Sequence, residues 1–179
     1  MKNEIIPNLM PHQTAAFNAD HHVEAEFLKL KQRFAIATAI ETGTCLGGTT
    51  VFLGQNFDRA FTIEINKTWL KIAINRFDGA GVGEKIKAYL GSSEKVLDDI
   101  IQIYSITDKC ILYLDAHWQG YCPLHDELKI VAKNKIKPVI CIHDFFVPNE
   151  HVLGYDSYNG QPFTFEWIKQ LLDEIYGGS

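Results

Sequence analysis

The sequence predicts an α/β fold in which a mainly parallel sheet carries helices on both faces. Short apolar runs rich in β-branched residues alternate with stretches of helical periodicity along the 179-residue chain. Strands and helices that alternate in this order form right-handed βαβ units around a parallel sheet. The length fits one domain, so we expect residues 1–179 to form a single unit.

Five apolar runs are predicted to be buried strands, and six helical patterns lie between and around them. The strands are expected at residues 34–41, 60–64, 86–90, 110–115 and 138–143. The helices are expected at residues 20–33, 49–57, 68–77, 93–101, 124–134 and 164–175.

Composition and charge favour a small molecule as the ligand. The formal net charge is −5, which argues against nucleic acid or an anionic membrane as the main partner. The first eleven residues lack a continuous apolar segment, and no later stretch is long enough to span a bilayer. The four cysteines show no CxxC spacing, which indicates reduced thiols. We therefore expect a cytoplasmic protein.

Acidic residues cluster at the ends of the predicted strands. Glu41, Glu64 and Asp115 each end a strand, and Asp144 follows His143 at the end of the fifth. Open α/β sheets bind ligands beyond the carboxyl ends of their strands. Single acids at such positions can also cap the next helix or stay solvated, but four together favour a binding site.

A glycine-rich loop joins the first strand to the following helix. Gly43, Gly47 and Gly48 permit a tight turn, and the helix that begins near Thr49 presents free N–H groups. The GxxxGG spacing differs from the motifs of NAD and ATP sites. Glu64 follows Gly43 by 21 residues, where such folds keep the carboxylate that binds ribose hydroxyls. An adenosine-containing cofactor is therefore indicated; the alternative is a helix-capping loop and a chance glutamate.

Four segments together resemble a known family. They are residues 39–49 (AIETGTCLGGT), 61–66 (FTIEIN), 91–94 (GSSE) and 112–118 (LYLDAHW). Their order and spacing resemble class I S-adenosylmethionine-dependent methyltransferases, most closely the metal-dependent small-molecule O-methyltransferases such as catechol O-methyltransferase and the macrolide-sugar enzymes. The resemblance covers residues 34–148. It implies a Rossmann-like methyltransferase fold and methyl transfer to a hydroxyl of a small-molecule acceptor, such as a sugar or a phenol.

The resemblance implies a set of cofactor-binding residues. Glu41, Gly43 and Thr49 would line the methionine end of S-adenosylmethionine, and Glu64 would hold the ribose diol. The adenine would contact the start of the fourth predicted helix, with a tryptophan nearby. The full set implied is Glu41, Gly43, Thr44, Gly47, Thr49, Glu64, Ser93, Glu94, Asp115 and Trp118.

The resemblance also implies a divalent metal site at the ends of the fourth and fifth strands. Asp115 and Asp144 match the family's acidic pattern, and neighbouring strands lie about 4.8 Å apart, close enough to share one ion. His143 departs from that pattern, and an imidazole suits manganese, iron or zinc better than magnesium. The expected ligands are thus Asp115, His143 and Asp144, with Mg²⁺ or Mn²⁺ as the ion; alternatively, His143 packs or caps and Asp144 is a turn acid.

The sequence departs from the family at the general base. Gln119 follows Trp118 where catechol-type enzymes carry a lysine. His117 could accept the proton of the acceptor, or it could simply be solvated. The expected catalytic residues are therefore Asp115, His117 and Asp144.

Two other functions remain open. The chain could bind the cofactor without turnover, as the missing lysine suggests. It could instead be a metal-dependent hydrolase that uses the acids and histidines of the proposed metal site.

The end of the chain carries two further expectations. The long segment 145–163, with Tyr155 and Tyr158, would act as a lid or an acceptor surface, or would pack against the sheet. The resemblance implies the strand order 3-2-1-4-5, and we expect no C-terminal β-hairpin beside the fifth strand. That apolar edge would be covered by the last helix or paired in a homodimer.

Overall fold

A five-stranded parallel sheet forms the centre of the structure, a computed structural model that describes residues 14–117, 120–150 and 153–178. Its strand order is β3-β2-β1-β4-β5, and each adjacent pair is parallel. The strands are β1 (Thr38–Thr42), β2 (Arg59–Glu64), β3 (Ile86–Leu90), β4 (Cys110–Leu114) and β5 (Val139–Ile142). The predicted α/β fold class and the strand order are both confirmed.

Within the described part of the chain, six α-helices flank the sheet. They are α1 (His21–Phe34), α2 (Gly48–Asn56), α3 (Lys67–Gly79), α4 (Ser93–Ile103), α5 (Leu124–Lys133) and α6 (Phe165–Tyr176). Three of them start at side chains that accept backbone N–H bonds, as helix N-caps do: Asp20 for α1, Asn66 for α3 and Thr164 for α6. A two-stranded antiparallel hairpin, β6 (Ser157–Tyr158) and β7 (Gln161–Pro162), lies in the segment before α6.

Two apolar cores lie on opposite faces of the sheet. Successive strand residues point to opposite faces, so Ile40 and Leu112 enter the core under α4, α5 and α6, while Ala39 and Ile111 enter the other. Both central strands, β1 and β4, are buried along their whole length. Covering both faces explains why β4 is continuously apolar rather than alternating. It also means that the polar residues of β1, Thr38, Glu41 and Thr42, are buried.

The first strand is shorter than predicted. The run 34–41 was expected to be extended, but α1 continues to Phe34 and ends at Ala35, whose φ of 50° is left-handed. The N–H of Ile36 then bonds back to the carbonyl of Lys31 at 3.0 Å. Phe34 and its neighbours therefore complete the end of a helix, and the strand begins only at Thr38.

The last helix is hydrogen-bonded to the two residues that precede the edge strand β5. The hydroxyl of Tyr176 donates to the carbonyl of Pro138 at 2.6 Å, and the ammonium of Lys137 donates to the carbonyl of Tyr176 at 3.3 Å. Ile140 and Ile142 pack against the core that α6 covers. Within the described residues no helix is both long and apolar enough to traverse a bilayer.

Candidate active site

A cleft of about 580 Å³ opens at the carboxyl ends of the strands. It lies where the strand order reverses between β1 and β4, which is the usual ligand position in such sheets. Ten of the residues singled out from the sequence line it: Glu41, Gly43, Thr44, Thr49, Glu64, Ser93, Asp115, His117, His143 and Asp144. The strand-end acids therefore do converge in space.

The loop after β1 packs tightly against the loop after β4. Gly43 has φ +85°, and a Cβ built there would lie 2.1 Å from the carbonyl oxygen of Asp115. Only glycine fits that approach. Gly47, by contrast, faces α3, where a Cβ would meet the ring of Phe77 at 2.6 Å. Gly47 is not among the residues that line the cleft.

Glu64 lies at the end of β2 with both carboxylate oxygens held by the backbone. Its Oε2 accepts the N–H of Cys45 at 2.7 Å, and its Oε1 accepts the N–H of Asn66 at 2.8 Å. The residue is 5% exposed. Burial raises the pKa of Glu64 above its ordinary value, while these N–H donors oppose the shift. Each oxygen retains a lone pair for a further hydrogen bond.

Glu41 is a buried carboxyl group at the floor of the cleft. The hydroxyls of Thr50 and Thr62 donate to its Oε2 at 2.5 and 2.6 Å. Burial, reinforced by the charges of Asp115 and Glu64, raises the pKa of Glu41 to about 8. At neutral pH Glu41 is therefore mainly protonated.

The start of α4 borders the cleft on the side of β3. The buried Ser93 lines the cleft, and its hydroxyl oxygen has no hydrogen-bond partner among the described residues. Glu94 does not line it; its carboxylate accepts hydrogen bonds from the hydroxyls of Ser92 and Tyr121, which do. Trp118 lies outside the described residues.

Two histidines and three carboxylates form a cluster at the ends of β4 and β5. His117 Nε2 lies 3.8 Å from Asp115 Oδ1, 3.7 Å from Asp144 Oδ2 and 3.8 Å from Asp156 Oδ2. His143 Nδ1 lies 3.2 Å from Asp115 Oδ1 and 3.0 Å from Asp144 Oδ2. The two imidazole rings stack with their centroids 6.2 Å apart.

Two members of the cluster, His143 and Asp144, have strongly shifted pKa values. Burial lowers the pKa of His143, but the carboxylates of Asp115 and Asp144 outweigh it and raise that pKa to about 10. The pKa of Asp144 is held well below its usual range by His117 and then His143. The site is therefore built to concentrate negative charge around the histidine nitrogens.

Asp156 is the member of this cluster that the sequence analysis did not find. Its backbone N–H bonds to the carbonyl of Asp144 at 2.9 Å, and its carbonyl accepts the N–H of Phe163 at 3.0 Å. The segment 145–163 has no regular periodicity, so nothing in the pattern singled out this acid. The only signal was an acidic residue in a long loop predicted at the ligand face.

A family comparison identifies the type of protein. Residues 10–144, well over half of the chain, match the model of the O-methyltransferase family. The chain belongs to the O-methyltransferase family. No protein with a curated description matches the sequence significantly.

Solved structures share the methyltransferase fold of this O-methyltransferase chain at low identity. The O-methyltransferase TomG from Streptomyces achromogenes, solved with S-adenosylmethionine, is 16% identical with a TM-score of 0.57, over 68% of this chain and 54% of TomG. A candidate caffeoyl-CoA O-methyltransferase from Staphylococcus aureus is 15% identical with a TM-score of 0.59, over 87% of this chain and 71% of that one. The chain thus spans little more than half the length of TomG.

Proposed function

We propose that this chain transfers the methyl group of S-adenosylmethionine to a hydroxyl of a small molecule, with a divalent cation beside the acceptor. The observation that carries the proposal is Glu64, a buried carboxylate that two backbone N–H groups hold at the end of β2, inside the cleft of an O-methyltransferase family member. A carboxylate at this position of the fold suits two adjacent ribose hydroxyls.

The residues around Glu64 fit the nucleoside part of the cofactor. Asn66 and Trp69 line the cleft beside it, and Ser92 and Ser93 line the far side. The buried, unpartnered hydroxyl of Ser93 supplies a polar group for a base edge. We propose that Ser93 and Glu64 contact the nucleoside directly. Glu94 and Gly47 do not line the cleft, and we propose that they support the residues that do.

The floor of the cleft fits the sulfonium end. Glu41 and Asp115 line it together with Gly43, Thr44 and Thr49. S-adenosylmethionine, when bound, supplies an electrophilic methyl group whose transfer depends on alignment with the acceptor oxygen. The carboxylate of Asp115 would stabilise the positive charge, and a sulfonium beside Glu41 would favour the ionised form of that carboxyl group.

The histidine and aspartate cluster fits a divalent cation. Asp115, His143 and Asp144 would hold it, and a bound cation would polarise the acceptor hydroxyl. His117 lies within the same cluster and belongs to the catalytic group with Asp115 and Asp144. His143 Nδ1 lies 3.2 Å from Asp115 Oδ1 and 3.0 Å from Asp144 Oδ2. These separations support a shared ion.

The charge of the cleft favours a neutral or cationic acceptor. None of the described residues that line the cleft is lysine or arginine. Five of them carry carboxyl groups: Glu41, Glu64, Asp115, Asp144 and Asp156. Carboxylates outnumber the positive groups in the cleft, so a phosphorylated acceptor would be disfavoured. With the formal net charge of −5, this supports a small-molecule acceptor rather than nucleic acid or an anionic membrane.

Calorimetric titration with S-adenosylhomocysteine tests the cofactor assignment. Glu64→Gln removes the charged acceptor for two hydroxyls and should cost about 1.5–3 kcal/mol, which is roughly tenfold or more in affinity. Glu84→Gln, at an exposed glutamate outside the cleft, is the matched control and should leave affinity unchanged. Equal affinity in wild-type and Glu64→Gln proteins would reject the assignment.

Methyl transfer itself is tested with labelled S-adenosylmethionine and a panel of catechols, phenols and sugars. Labelled product with at least one hydroxyl acceptor is expected. Cofactor binding without product across the panel would indicate a binding protein instead. Metal binding without affinity for S-adenosylhomocysteine would favour a hydrolase.

A further inference from the structure

His117 is a buried histidine whose ring nitrogen has no hydrogen-bond partner. Its side chain is 5% exposed, and Nε2 is unpartnered among the described residues. The nitrogen nevertheless faces carboxylate oxygens of Asp115, Asp144 and Asp156 at 3.7–3.8 Å. A buried imidazole nitrogen left without a hydrogen bond is costly, so the geometry points to a ligand placed between these groups.

The separations between the histidine nitrogens and the neighbouring carboxylate oxygens fit donors around one cation. Ligand atoms about 2.1 Å from one ion lie roughly 3.0–4.2 Å from one another, depending on the angle between them. The donor separations from both histidines to the carboxylates range from 3.0 to 3.8 Å. Two sets of donors, one with Asp115, His117 and His143 and one with His117, Asp144 and Asp156, each lie within 4.8 Å. His117 belongs to both sets.

The donor types select the class of metal. Two imidazoles among three carboxylates suit divalent transition metals, whereas Mg²⁺ prefers oxygen ligands and retains several waters. His117 is also oriented by its surroundings, since its ring packs edge-on against Phe163 at 5.0 Å and Tyr158 at 5.9 Å. Both aromatic residues belong to the segment that carries Asp156, so one segment supplies a donor and positions another.

We propose that the cation of this site is a transition metal bound through His117 Nε2, and that Asp156 is an additional ligand that fastens segment 145–163 to the sheet. The inference rests on the proposed function for the role of the ion, but it concerns ligands on this chain beyond Asp115, His143 and Asp144. Asp156 is already aligned, because its N–H bonds to the carbonyl of Asp144. The metal would thus join the ends of β4 and β5 to the segment beyond them.

Titration of the metal-free protein with Co²⁺, followed by visible absorption and calorimetry, tests the proposal. Co²⁺ should bind at least 100-fold more tightly than Mg²⁺ and should give d–d bands typical of nitrogen ligation. His117→Gln and Asp156→Asn should each weaken Co²⁺ binding at least tenfold, and His117→Gln should also change the spectrum. The matched controls are His22→Gln on α1 and Glu150→Gln in the same segment, both exposed and outside the cluster; both should bind Co²⁺ like wild type.

Limited proteolysis tests the fastening of the segment. Co²⁺ should slow cleavage within residues 145–163 in the wild-type and Glu150→Gln proteins, and should not do so in Asp156→Asn. Preference for Mg²⁺, or wild-type Co²⁺ affinity and spectrum in both His117→Gln and Asp156→Asn, would overturn the proposal.

The failure of the proposed function would look different. S-adenosylhomocysteine affinity, measured in the same proteins without metal, reports on the cofactor cleft alone. If the wild-type protein bound Co²⁺ through His117 but did not bind S-adenosylhomocysteine, the metal proposal would stand and the methyltransferase function would fall.

Discussion

Glu41→Gln should become more stable relative to the wild-type protein as the pH rises. Burial raises the pKa of Glu41 from an ordinary value of 4.5 to about 8. Between these two values the folded protein keeps a proton that the unfolded chain releases. Because the unfolded state binds fewer protons, the free energy of unfolding falls as the pH increases. Glutamine is neutral at every pH, so the variant is spared this loss.

The size of the effect follows from the shift. One pH unit corresponds to about 1.4 kcal/mol for a group that is protonated in one state only. The contribution of Glu41 should therefore fall by about 3 kcal/mol between about pH 5 and about pH 8, and should level off above the folded-state pKa. The hydroxyls of Thr50 and Thr62, which donate to Oε2 in the wild-type protein, can donate equally to an amide oxygen.

Urea denaturation at several pH values measures the difference. The free energy of unfolding of Glu41→Gln minus that of wild type should rise with pH, while the urea dependence of both proteins stays the same. Glu84→Gln, an exposed substitution, is the control for removing one negative charge and should follow wild type. Parallel pH profiles for wild type and Glu41→Gln would refute the reasoning.

Two further predictions concern the loop after β1 and the edge of the sheet. Gly43→Ala places a Cβ 2.1 Å from the carbonyl oxygen of Asp115 at a φ of +85° and should lower the free energy of unfolding by about 2–4 kcal/mol in urea denaturation. A Cβ built at Gly79 meets no atom within 4 Å, so Gly79→Ala is the control. An equal loss of unfolding free energy in Gly79→Ala would contradict this explanation. The β5 edge should pair two chains in a two-fold dimer; light scattering after size-exclusion chromatography would contradict this if it gave only monomer at high concentration.

The sequence predicted those parts of the molecule that depend on regular patterns. The alternation of strands and helices in the sequence predicted the parallel sheet. The acids at the strand ends lie in one cleft because parallel strands end at the same edge of the sheet. Asp115 and His143 are far apart in the chain, yet their side-chain atoms lie 3.2 Å apart.

The sequence failed where structure depends on local packing. Phe34 has the apolar character of a strand residue, but it ends α1 because Ala35 adopts a left-handed conformation. Asp156 was missed because only the folded segment brings it to Asp144. Such contacts depend on distant chain positions that no periodicity encodes.

The segment before α6 begins and ends at almost the same place. The N–H of Phe146 donates to the carbonyl of Phe163 at 2.8 Å, so the two ends of the segment are held together as the ends of a closed loop. Doubling the length of such a closed loop costs only about 0.6 kcal/mol of closure entropy. The length of this segment can therefore change without moving a strand, provided that Asp156 and the contacts of Tyr158 and Phe163 with His117 are kept. Under the function proposed above, acceptor preference would then diverge among related proteins, or be redesigned by grafting, while the cofactor cleft stays the same.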